Sequence, residues 1–436
     1  MAILSAPSST PSAGNGPVVT TRSALWVVTS IFFMWGFLTS LNDVLIPHLK
    51  AVFELNYTRA MLVQFTFFGA YFLMSLPAGR LVARIGYKNG IVAGLVIAGI
   101  GALGFWPSAS LRIYDAFLAS LFVLATGITV LQVAANPYVA LLGPEQTASS
   151  RLTLAQALNS LGTTLAPWFG GLLILGTTVK TTEQIDAMPV AEQLAYRAAE
   201  AQSVQGPYVG LAITLVLLAV FVYLFRLPKL AGAAESDEPG NHSVFDALRR
   251  PHLLFGVLAI FFYVGAEVSI GSFMVNYLSL PEIGGMTEQE ATRYVSAYWG
   301  AAMVGRFAGA WMLARWSPRR LLALFAVLNV VLLGVTLMSA GKVALYGLVA
   351  TGLFNSIMFP TIFSLGIERL GPLTNKASSL LIMAIVGGAV LPLLQGMLAD
   401  GIGLHYSFVL PIICYAYIIF YGLVGSRLRG PAAQGG

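Results

Sequence analysis

The stretch Phe32 to Asp43, FFMWGFLTSLND, sets one carboxylate inside a run otherwise fit for lipid or protein interior. A charged side chain at bilayer depth costs at least ~2.5–3.5 kcal/mol, so an acid there must be protonated, paired, or turned to a watery cavity. At helical spacing Trp35, Thr39, Asn42 and Asp43 fall on one face. That face offers a carboxylate, an amide, a hydroxyl and an aromatic plate, groups suited to a polyhydroxylated ligand. The competing reading is a structural acid bonded to a neighbouring helix.

Outward from Asp43 the whole chain keeps this character. Of 436 residues, 57% are hydrophobic and 10% charged, with mean hydropathy +0.79; soluble domains carry about 25% charged residues. The sequence therefore predicts a polytopic membrane protein, embedded in a lipid bilayer. Apolar runs long enough to cross ~30 Å of hydrocarbon fall near 24–50, 60–79, 89–108, 114–141, 152–178, 206–226, 252–279, 291–314, 320–339, 343–366, 377–398 and 406–426. These twelve helices make the expected fold all-α. Cys414, the single cysteine, lies in the last run and reads as a small core residue.

Residues 1–22 form a Ser/Pro/Gly-rich tail without the features of a signal peptide. A polar interval at 228–251 divides the spans six and six, so the expected organisation is a half at 23–227, a cytoplasmic linker, a half at 252–427 and a tail at 428–436. A second polar stretch, Val179 to Val204, reads as a short surface helix between spans five and six. With both termini inside, 17 of the 24 Lys and Arg, Arg306 among them, fall in inside segments and seven outside. Positive residues favour the cytoplasmic side, so topology accounts for the net charge of +6 without a nucleic-acid partner.

The two halves repeat. GRLVARIGYK, Gly79 to Lys88, ends span two and ARWSPRR, Ala314 to Arg320, ends span eight; Arg315 falls on Arg84 and Arg319 on Lys88 with one offset. LQVAANPYV in span four echoes FNSIMFPTIF in span ten, which pairs Gln132 with Asn355. Repeated short basic loops are what a transporter of two parallel six-helix halves would carry. Gly79 to Lys88 resembles the loop motif between helices two and three of the major facilitator superfamily, with Ala83 where an Asp is usual. This marks Gly79, Arg84, Lys88, Arg315 and Arg319 as gating-loop residues. FFMWGFLTSLND, LQVAANPYV, RLTLAQALNSLG, YVGAEVSIGSFMVNYL and FPTIFSLGIERLG together resemble the fucose permease family, specifically its glucose/galactose permease branch, over about Leu25 to Arg427. The resemblance implies proton coupling at Asp43 and a functional Asn159. Gln132 stands where fucose-specific members carry a Glu.

A pyranose presents hydroxyls that both donate and accept, together with apolar faces, so its site needs amides, carboxylates and aromatic rings. Candidate sugar contacts are Trp35, Asn42, Gln64, Gln132, Gln156, Asn159, Glu267, Asn276 and Asn355. Any single amide serves equally well as interhelical glue, the role favoured for Asn136 beside its proline. Asn276 joins the same face as Glu267 only if the helix bends near Gly265 and Gly271. Glu267 is expected to lack a basic residue at its depth. Tyr298 and Trp299 are candidate stacking rings.

The four histidines show no metal-ligand spacing. No phosphate-binding loop or partnered nucleophile is present, so neither an ATP-driven pump nor an enzyme is indicated. The expectation is a monomeric, multi-pass transporter of the bacterial inner membrane importing a neutral hexose. No cofactor is expected beyond a co-transported H⁺ or Na⁺; sodium symport and facilitative uniport remain open, as do fucose or another sugar. A drug antiporter would want a mainly apolar cavity, which these amides oppose. A non-transporting sugar receptor would have little use for Asp43.

Overall fold

The computed structural model describes residues 24–37, 40, 57–173, 185, 187–228 and 243–428, and every regular element among them is helical. Among these residues, eight helices are long and apolar enough to cross a membrane. One of these, Phe65–Leu111, carries spans two and three, its path broken where Gly86 takes φ 79°, a conformation glycine adopts at no steric cost. The eight therefore supply nine of the twelve expected spans. Span one begins as Ala24–Phe37, and spans five and eight are Ala148–Leu173 and Glu288–Leu313. These last two are long enough but less apolar. Both supply polar residues to the cavity described below, Asn159, Ser160, Thr163 and Thr164 from the first and Ser296 and Arg306 from the second.

Burial follows the same logic. On span six, Ile213, Val216, Leu217, Val220 and Leu224 are exposed, an apolar face fit for lipid. The interior is held by tyrosines whose hydroxyls find partners, as buried phenols must: Tyr138 donates to Pro228 O at 3.0 Å and Tyr277 lies 3.1 Å from His405 Nδ1. Cys414 is buried. Two expectations change. The polar stretch before span six is helical but not separate, since Val190–Leu224 runs as one helix: its Ala- and Glu-rich sequence favours continuation of the helix. Asn136 is fully buried with neither side-chain polar atom partnered among the described residues, so no repair of backbone groups beside Pro137 is seen.

The halves meet at the end that carries the basic loops. Ser149 Oγ lies 2.6 Å from Ser364 Oγ, Ser150 donates to Ala310 O at 2.6 Å, and Ser378 donates to Val133 O at 3.1 Å. Gly79 abuts span eleven so closely that a Cβ there would sit 1.8 Å from Ser379 Oγ. Along span five, Ser149 and Ser150 touch the opposite half directly, whereas Asn159, Ser160, Thr163 and Thr164 line a cavity that Ser160 and Thr164 also span by bonds to Arg306 and Met303. The halves are thus in direct contact at the basic-loop end, with a cavity between them further along.

Candidate functional site

A cavity of about 690 Å³ lies between the halves, lined by Ser40 of span one, Asn159, Ser160, Thr163 and Thr164 of span five, Glu267 of span seven, and Ser296, Trp299, Gly300 and Arg306 of span eight. Spans one and five are tied beside it. Asn159 Nδ2 donates to Phe32 O at 2.9 Å, and Ser40 donates to Thr163 O at 3.1 Å. The first bond fixes the Asn159 amide, while its Oδ1 has no partner among the described residues. Gln156, one turn away, is buried and does not line the cavity. Trp35 is buried edge-on to Phe32, with centroids 5.4 Å apart.

On the opposite wall the Tyr263 hydroxyl lies 2.8 Å from Glu267 Oε1 and 3.1 Å from Asn355 O. Arg306 Nη2 approaches Glu267 Oε1 at 3.9 Å, Nη1 donates to Ser160 Oγ, and Nε donates to Ser356 O at 3.4 Å. The expectation that Glu267 lacks a basic neighbour is therefore corrected, and Arg306 leaves the inside-loop count. The chain contained the signal. Arg306 stands seven residues before the end of its helix at Leu313, and at 1.5 Å per residue that places it ~10 Å into the span.

The remaining candidates divide. Asn42 and Asp43 lie outside the described residues, as does the side chain of Gln64. Gln132 is buried and donates to the Tyr71 hydroxyl at 2.7 Å. Asn355 is fully buried: its Nδ2 donates to Tyr298 at 2.7 Å, and its Oδ1 accepts from Tyr415 at 2.7 Å and Asn329 at 2.8 Å. Neither amide lines the cavity, because each is held by tyrosine. Asn276 is exposed and not brought to it, since nine residues rotate the face by half a turn. Trp299 lines the cavity while Tyr298 is buried behind it.

At the basic-loop end, Lys88 donates to Tyr223 O at 2.8 Å. Arg319 pairs with Glu368 and donates to Ser426 O at 3.3 Å. Arg315 packs its guanidinium 4.3 Å over the Trp311 ring, and Arg84 is exposed.

Two halves enclosing a polar cavity form the arrangement of a carrier. The family model of the Major Facilitator Superfamily matches residues 27–385. The chain belongs to that superfamily; it is a membrane transporter with the twelve-helix fold, and not an enzyme. It is 52% identical over 406 residues to a glucose/galactose transporter of Brucella abortus, covering 93% of this chain and 94% of the relative. It is 36% identical to the L-fucose-proton symporter of Escherichia coli, covering 92% of each chain. The crystal structure of a Major Facilitator Superfamily transporter, FucP, in the outward conformation superposes with TM-score 0.87 at 35% identity, covering 92% of this chain and 98% of that one.

Proposed function

We propose that this protein imports a neutral hexose, glucose or galactose, across a bacterial inner membrane together with a proton. The observation that carries the reading is the central cavity: an amide, hydroxyls, an indole face and a carboxylate beside a guanidinium, with no net charge to demand a charged substrate. The likeness to a glucose/galactose transporter of Brucella supports a hexose, and the likeness to an L-fucose-proton symporter of Escherichia supports a proton over sodium.

The basic loops lie on the cytoplasmic side under the positive-inside rule, with both termini there. The halves, 23–227 and 252–427, rock about the cavity, joined by the linker 228–251. With their cytoplasmic ends in contact, the cavity serves sugar arriving from outside. Asn159 and Glu267 hold hydroxyls and Trp299 covers an apolar face, with Gln156 supporting the Asn159 wall. Asp43 carries the ion. A proton on Asp43 removes a buried charge and lets the loaded carrier reorient, whereas an ionised, empty carrier resists reorientation. The carrier works as a monomer, since each chain encloses a whole cavity.

Uptake by purified protein in proteoliposomes, across a sugar panel with pH and sodium gradients imposed separately, tests this. Accumulation of glucose or galactose driven by an inward proton gradient is expected. Drive by sodium alone, or indifference to both gradients, would overturn the proton assignment, and failure to move any hexose would overturn the substrate.

A further inference from the structure

Arg306 belongs to none of the loop clusters that account for the other basic residues of its half. It stands in the cavity wall, its side chain 15% exposed, beside Glu267 at 13%. Two of its nitrogens are committed, Nη1 to Ser160 Oγ across the seam between halves and Nε to Ser356 O. The third, Nη2, makes only the 3.9 Å approach to Glu267 among the described residues. A charge-assisted N–H···O bond closes to about 2.7–2.9 Å, so this pair stands open. Glu267 is placed in the same way: Oε1 is held by Tyr263, and Oε2 has no partner among the described residues. The wall therefore presents, side by side, an uncommitted fixed donor and an uncommitted fixed acceptor, both braced by bonds behind them.

A single hydroxyl can bridge the pair, but it then gives both groups only one shared oxygen. A vicinal diol satisfies both, one oxygen accepting from the guanidinium and its neighbour donating to the carboxylate. We infer that Arg306 and Glu267 together read two adjacent ring hydroxyls, with Arg306 as a sugar-binding, specificity-determining residue. The inference rests on the hexose reading above and deepens it. It also explains the uneven bracing: a buried ion pair left fully closed would have little to gain from a neutral ligand, whereas an open one regains its missing bonds only when the correct epimer presents both hydroxyls.

The test is a calorimetric binding matrix: glucose and each singly deoxygenated glucose against wild type, Glu267→Gln and Arg306→Gln. Each variant is expected to weaken glucose at least about tenfold. The sugar lacking the hydroxyl that Arg306 contacts should bind wild type and Arg306→Gln within about twofold, and the sugar lacking the neighbouring hydroxyl should do the same for Glu267→Gln. If Arg306→Gln does not fold, Arg306→Lys keeps the charge without the forked geometry and is read the same way. Unchanged glucose affinity, equal losses for every deoxy sugar, or insensitivity mapped to non-adjacent hydroxyls would overturn the pairing while leaving hexose transport standing. Wild type that binds no hexose would overturn both.

Discussion

The two halves place an amide at the same point of the repeat and bond it differently. In the first half Gln132 meets one partner, Tyr71; in the second, Asn355 is gripped by Tyr298, Tyr415 and Asn329. The loops repeat the contrast. Lys88 reaches one carbonyl near the end of span six, while its counterpart Arg319 reaches one near the end of span twelve and also pairs with Glu368. Among the described residues the second half is the more heavily cross-bonded in both places, and its network ends at the cavity through Tyr263 and Glu267. In the proposed function this makes it the fixed platform for sugar and leaves ion handling to the first half, where Asp43 stands in the sequence.

The contrast is broken most directly at the amides. Asn355→Leu leaves two phenols and the Asn329 amide without their partner in a dry interior, a loss of ~3–6 kcal/mol. Gln132→Leu removes one hydrogen bond, to the Tyr71 hydroxyl, and should cost only ~1–2 kcal/mol. Thermal unfolding in detergent should rank them accordingly, and equal losses would remove the asymmetry. Next comes the loop pair: Arg319→Ala leaves Glu368 without its partner and should destabilise by ~1–3 kcal/mol, against ~0.5 kcal/mol for Lys88→Ala at a more exposed site.

At the cavity, Asn159→Ala should raise the half-saturation concentration of uptake about tenfold with folded yield near normal. Normal affinity with collapsed yield would instead make its bond to Phe32 O the main role of the amide. The smallest effect concerns Glu368, which lies outside the spans. Burial raises its carboxyl above the usual range, outweighing the opposite pull of Arg319. The folded protein then holds this proton to higher pH than the unfolded chain, so the contribution is full at low pH and lost as pH rises through the raised value. Glu368→Gln, which cannot ionise, should gain in thermal midpoint relative to wild type as pH is raised from about 4 to 7; a gain running the other way would reverse the sign.

Much of this was legible in the sequence because bilayer cost is local. Length and apolarity located the spans, and the offset between Arg84 and Arg315 exposed the repeat. What could not be read was partnership across helices. Gln132 and Asn355 looked like sugar ligands because an amide in hydrocarbon must bond something, and nothing in their own helices shows that tyrosines of other spans already supply it. Arg306 was misread for the converse reason: a charge in an apolar run looks like a loop residue until its distance from the helix end is counted. Spans five and eight, the least apolar, proved to be cavity walls, so departure from the lipid pattern was itself the site signal.

In the proposed function a titrating Asp43 in the first half drives accumulation of sugar held between the two halves. The most direct test of this is Asp43→Asn in proteoliposomes, assayed for uphill accumulation and for exchange of labelled against unlabelled sugar. A neutral amide imitates the protonated acid, so exchange should survive while accumulation against a gradient is abolished. Uphill accumulation by this variant, driven by either a proton or a sodium gradient, would contradict the account.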